Sequence, residues 1–213
     1  MKEAPVFDPH FRDQFEQLLA WRRDVRRFRR DPIDPELLHH LLELACIAPS
    51  VGNAQPWRFV LVSDPARRAA IRANFERCNK DALHDYEGEQ AKLYASLKLS
   101  GLDDAPVQIA VFCDHETHTG HGLGRKTMAE TLDYSVVAAI HNLWLAGRAY
   151  GIGLGWVSII DPEELRRSLD VPQSWRLVAY LCVGRPVEEH DQPELVRLGW
   201  QAREPVDGFI FER

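Results

Sequence analysis

The stretch that decides the fold is Tyr134 to Ile159, "YSVVAAIHNLWLAGRAYGIGLGWVSI". Its first half belongs to a long helix, expected over Thr127–Tyr150 and hydrophobic most of the way round, which predicts burial. Its second half, "IGLGWVSII", reads as a strand entered through glycines. A buried helix running straight into a strand points to a layered α and β domain. The neighbouring segments agree. "WRFVLVSD" reads as a strand over Trp57–Val62. "VQIAVFCD" is so apolar that it should be covered on both faces, and "WRLVAYLCVGRP" makes a fourth strand.

Helices fill the gaps. Phe11, Phe15, Leu18 and Leu19 have helical spacing before Trp21. Asp34-Pro35 is a cap followed by proline at the first helical position, and Pro49 stops that helix near Ala48. Asp161-Pro162-Glu163-Glu164 repeats the start signal with acids in the first turn. Residues 65–100 look helical and charged. The count predicts an α+β fold: a mixed four- to five-stranded sheet surrounded by helices, in one domain over residues 1–213. The tip "FIFER" is apolar and strand-like without a hairpin partner, so it is expected to add to the sheet of a second copy.

Composition narrows the function. A net charge of −6 argues against nucleic-acid binding through the whole surface. No apolar run is long enough to span a bilayer, and the first residues have no export core. The four cysteines form no CxxC pair, which suggests reduced, buried thiols in a cytoplasmic protein. Against this acidic background stands "WRRDVRRFRR", Trp21–Arg30, with six arginines around Asp24. Arginine without lysine suits bidentate contact with a phosphate. "APSVGNAQPWRF" is a turn whose Asn53 and Gln55 could meet the polar edge of a planar heterocycle. The glycines before Trp156 would let backbone come close to a flat ligand. There is no Rossmann fingerprint and no Walker A motif. His115, His118 and His121 recur every third residue, but Thr and Gly between them argue for a loop, so no metal site is assigned.

The segments "RRDVRRF", "APSVGNAQPWRF", "YSVVAAIHNLWLAGRAYGIGLGWVSI" and "CVGRP" occur in an order that resembles the FMN-dependent nitroreductase superfamily across nearly the whole chain. Asp24 stands where the general pattern has serine, and the strand reads Gly-Trp-Val-Ser. Both departures resemble the 5,6-dimethylbenzimidazole synthase (BluB) branch. That resemblance implies oxygen-dependent fragmentation of reduced FMN to 5,6-dimethylbenzimidazole, the lower ligand of vitamin B12, and erythrose 4-phosphate. It also implies a homodimer with FMN at the interface and exchanged C-terminal extensions. FMNH2 would come from a separate flavin reductase. Asp24 and Ser158 match the catalytic pair. Arg22, Arg23, Asp24, Val25, Arg26, Ser50, Asn53, Leu99, Gly155, Trp156, Val157, Ser158 and Arg185 match the flavin contacts, and residues 86–101 match a lid. Arg27, Arg29 and Arg30 fall outside the motif. Two other readings share these residues: an NAD(P)H-dependent nitroreductase or flavin reductase, and a flavin-binding protein without catalysis.

Overall fold

The computed structural model describes residues 3–96 and 100–213. Four helices begin on the same local device, an aspartate N-cap followed by proline: α1 (Pro9–Trp21), α2 (Pro35–Cys46), α3 (Pro65–Leu83) and, later, α7 (Pro162–Leu169). Asp8, Asp34, Asp64 and Asp161 each accept a first-turn N–H at 2.8–3.0 Å, and the proline has no N–H to leave orphaned. The charged stretch after β1 (Trp57–Leu61) is broken at Gly88 and again before Gly101, giving α3, α4 (Gly88–Ser96) and α5 (Gly101–Asp104).

β2 (Val107–Asp114) follows. The long helix α6 (Thr131–Ala149) starts four residues later than its apolar pattern predicts. Thr127 makes no capping bond among the described residues. The turn closes instead where Thr131 donates both its N–H and its hydroxyl to the Met128 carbonyl. β3 (Gly153–Val157) and β4 (Trp175–Gly184) complete the sheet.

The sheet order is β1-β2-β4-β3, and every pairing is antiparallel. The expected mixed sheet is therefore corrected among the described residues to four antiparallel strands. Its parallel component is a one-residue bridge between Asp24 and Leu154. An apolar run reports coverage of both faces, not strand direction. Alternation along the central strands sorts the core into two layers. Ile109, Val111 and Cys113 of β2, with Ala179, Leu181 and Val183 of β4, pack toward α2 and α6. Ala110 and Phe112, with Tyr180 and Cys182, face α3 and α7. The buried Tyr180 hydroxyl donates to Gln108, whose amide donates to the Leu102 carbonyl, so both polar groups are satisfied.

All four cysteines are free. Cys113 and Cys182 are buried, and burial pushes each thiol up to about 12. Cys78 is half-buried and Cys46 is exposed, unlike the expected buried set. After β4 the chain passes through α8 (Glu194–Arg197) to Trp200. The strand expected at the C-terminal tip does not form within the chain: a single turn covers Val206–Phe209, and Phe209, Ile210 and Phe211 remain exposed. No helix among the described residues is long and apolar enough to cross a membrane.

Candidate active site

α1 ends at Trp21, and the arginine-rich stretch leaves it in extended conformation as a strap across the outer edge of β3. β4 occupies the other edge of β3, so its outer polar groups need partners. The Val25 N–H donates to the Leu154 carbonyl at 2.9 Å. The Trp156 N–H donates to Asp24 Oδ1 at 2.8 Å. Phe28, buried beside Pro186, pins the far end of the strap. The glycines of β3 make this crossing possible. A Cβ at Gly155 would run into the Val25 carbonyl oxygen, and one at Gly153 would lie 2.6 Å from Val25 Cγ2. The backbone that approaches these glycines is the chain's own strap, where the sequence suggested a flat ligand.

Asp24 forms the wall between two hollows. One is a cleft of about 130 Å³ that it lines with Arg26, Trp156, Val157 and Ser158. The two catalytic candidates therefore open onto one space. The other hollow is lined by Arg23, Arg26, Arg148 and Arg197 together with Asp24, Glu188, Glu189 and Glu194. Burial pushes the Asp24 carboxyl above the usual aspartate range, and Glu194 adds to that. The Trp156 N–H, Arg26 (Nε to Oδ2 3.8 Å) and Arg22 pull the other way and lose. Desolvation by the surrounding protein outweighs the nearby arginines. The carboxylate keeps 39% of its side-chain surface open toward the two hollows.

The arginines divide by role. Arg22 lies 4.8 Å over the Trp144 ring, and burial lowers its pKa. Arg23 donates to the carbonyls of Arg22 and Asp191, and its buried Nε has no partner among the described residues. Trp144 Nε1 ties the Arg23 carbonyl to α6 at 3.1 Å. Arg27 pairs with Glu188 and Glu194, and Arg30 with Asp104, as surface charges. An unsatisfied Arg23 Nε and a nearly buried Arg26 guanidinium suit an anionic group such as a phosphate. Arg185 is exposed at the end of β4, where its carbonyl accepts the Arg29 N–H.

Ser50 and Asn53 lie elsewhere. Their turn leads into β1, at the edge of the sheet opposite β3. Three strand spacings separate those edges, roughly 14 Å. Ser50 Oγ accepts the Gln55 N–H at 3.1 Å, and Val51 N–H donates to Ser135 at the start of α6. Asn53 is exposed with φ 55°, a conformation asparagine tolerates. One chain thus brings Arg22–Arg26, Trp156, Val157 and Ser158 together but leaves Ser50 and Asn53 apart. Leu99 lies outside the described residues.

Sequence reading missed Phe75 and Asn79 of α3, which line the cleft with Asp24; Tyr94 of α4, which also lines it, falls within the expected lid over residues 86–101. The four-residue step from Phe75 to Asn79 was a helical signal, hidden in a stretch charged all round. The histidine series is not brought together: His118 and His121 sit in the loop. His115 instead joins Cys113 and Asp133, three potential metal ligands. Asp133 already receives His115 Nε2 at 3.1 Å and the Arg176 fork at 2.5 and 3.1 Å. The carboxylate is charge-paired with Arg176, while its buried Oδ2 has no hydrogen bond among the described residues.

The chain is similar to known proteins in both sequence and fold. The sequence model of the nitroreductase family matches residues 19–185. The chain is 58% identical to a 5,6-dimethylbenzimidazole synthase of Rhodospirillum rubrum over 96% of its length and 97% of that protein. It is 49% identical to a 5,6-dimethylbenzimidazole synthase of Rhodobacter capsulatus, over 94% of this chain and 97% of the other. Among solved structures it is similar to an iodotyrosine deiodinase bound to FMN and 3-iodo-L-tyrosine. That likeness has a TM-score of 0.69 and 28% identity over 82% of this chain and 91% of that one.

Proposed function

The chain belongs to the nitroreductase family, and we propose that within it the protein is a 5,6-dimethylbenzimidazole synthase. It binds FMN, and reduced FMN is consumed with dioxygen to give 5,6-dimethylbenzimidazole and erythrose 4-phosphate. The observation that carries this reading is Asp24. A carboxylate is built into the arginine strap and shares one cleft with Ser158.

Bound reduced flavin supplies the electrons and the carbon skeleton. Arg22, Arg23 and Arg26 hold the phosphate end, the orphaned Arg23 Nε being one of the donors available for it. Arg185 adds charge from the end of β4. Val157 and Trp156 present β3 to the ring. Asp24 holds and releases protons, and its raised pKa brings it nearer to working pH, where acid–base exchange is most effective. Trp156 N–H fixes Oδ1, which leaves Oδ2 for the substrate. The Ser158 hydroxyl, exposed at the end of β3, donates or accepts a hydrogen bond in the same space.

Ser50 and Asn53 complete the site from a second copy in a homodimer, since they stand across the sheet from Asp24 in their own chain. A separate cytoplasmic flavin reductase supplies FMNH2. The test is product analysis after mixing the protein with FMN, a reductant and air. Dimethylbenzimidazole with irreversible loss of the flavin spectrum is expected. Many turnovers of NAD(P)H and a nitroaromatic, with the flavin intact, would establish a reductase in its place.

A further inference from the structure

We propose that Tyr94, Asn79 and Trp200 form a latch that positions α4 over the Asp24–Ser158 cleft and decides whether reduced flavin is fragmented or merely reoxidised. The inference rests on the synthase reading. α3 is the fixed partner. Its buried Asn74 exchanges two hydrogen bonds with Asp161, at 3.0 and 2.9 Å, just beyond Ser158 in sequence. α4 is the more exposed one, with no buried residue from Gly88 to Ala95. Between them, the Tyr94 hydroxyl donates to Asn79 Oδ1 at 2.8 Å, and both residues line the cleft. The Tyr94 ring stacks on Tyr86 at 4.8 Å. Trp200, from the segment after α8, meets Tyr86 edge-on at 5.5 Å and lies 6.4 Å from Tyr94. Glu194 of α8 is paired with Arg27 of the strap, so strap, C-terminal segment and α4 form one chain of contacts.

Reduced flavin and dioxygen have a simpler fate than fragmentation: FMNH2 + O2 → FMN + H2O2, in which the flavin gives up two electrons and two protons and no carbon bond breaks. Fragmentation needs the flavin held against Asp24 and Ser158 with water kept out. An open α4 favours peroxide.

The experiment uses the full chain with FMN reduced in place and then aerated, and it measures dimethylbenzimidazole against hydrogen peroxide. Tyr94→Phe and Asn79→Ala should each lower the product-to-peroxide ratio about fivefold, the weight of one ordinary hydrogen bond. The double variant should fall no further, because both changes remove the same bond. Trp200→Ala should fall similarly, and Trp200→Phe should recover most of the loss. Oxidised-FMN affinity and melting temperature are measured on each variant, so that a change in the ratio is separated from a change in binding or folding. An unchanged ratio in Tyr94→Phe and Asn79→Ala overturns the latch. So does a ratio that falls only in step with FMN affinity or melting temperature. A wild-type chain that makes peroxide and no dimethylbenzimidazole defeats the synthase reading itself.

Discussion

At the scale of the residue, Asp24 gathers most of the chemistry. Asp24→Asn keeps an oxygen for the Trp156 N–H and removes the exchangeable charge. Oxidised FMN should still bind, while product formation should fall at least about 100-fold, the usual weight of acid–base catalysis. Ser158→Ala should also bind FMN and form little product; wild-type yield in both variants would remove them from the mechanism. Asp24 makes a stability prediction too. Its folded pKa lies above the unfolded one, so the carboxyl adds stability at acid pH and withdraws it as pH rises through the folded value. The FMN-free Asp24→Asn protein should therefore melt above wild type at neutral pH. The gap should close as pH falls below the ordinary aspartate value of about 4. A gap independent of pH, or of opposite sign, would contradict the raised pKa. The identity of this residue was legible in the sequence, because it interrupts an arginine run. Its pKa direction was not, because desolvation depends on what packs around the strap from distant segments.

At the scale of the element, the local signals were the readable ones. Asp-Pro caps marked helix starts, and the apolar run of β2 marked a strand covered on both faces, as its two cores show. Strand direction and the purpose of the β3 glycines were not readable, since both depend on what lies alongside. The glycines make a graded prediction. At Gly155 an added methyl meets the Val25 backbone carbonyl, which cannot move without breaking the strap's bond to Leu154. At Gly153 it meets a valine methyl and Pro186. Gly155→Ala should cost about 1–3 kcal/mol, as overpacking does, and should weaken FMN binding. Gly153→Ala should cost less on both counts. Denaturant titration and flavin-fluorescence quenching measure the pair; equal costs would mean the strap does not depend on close approach at Gly155.

At the scale of the whole molecule, the unanswered surface is the apolar one. Phe7, Phe11 and Phe15 form a stacked exposed row on and just before α1, and Phe209, Ile210 and Phe211 protrude at the C-terminus. The sequence made the tip conspicuous but could not show that the residues expected to contact flavin fall at the two opposite edges of the sheet. If Asp24 and Asn53 meet only across two copies, two inactive variants can repair each other. Asp24→Asn lacks the carboxylate, and Asn53→Ala lacks the flavin contact. A mixed dimer holds one site with both residues intact and one with neither. Random exchange of equal amounts makes half the dimers mixed, so about a quarter of the wild-type sites return. Dimethylbenzimidazole yield after co-refolding, against each variant alone, measures this. No gain on mixing would place Asp24 and Asn53 of one chain in the same site, against the sheet order that separates them.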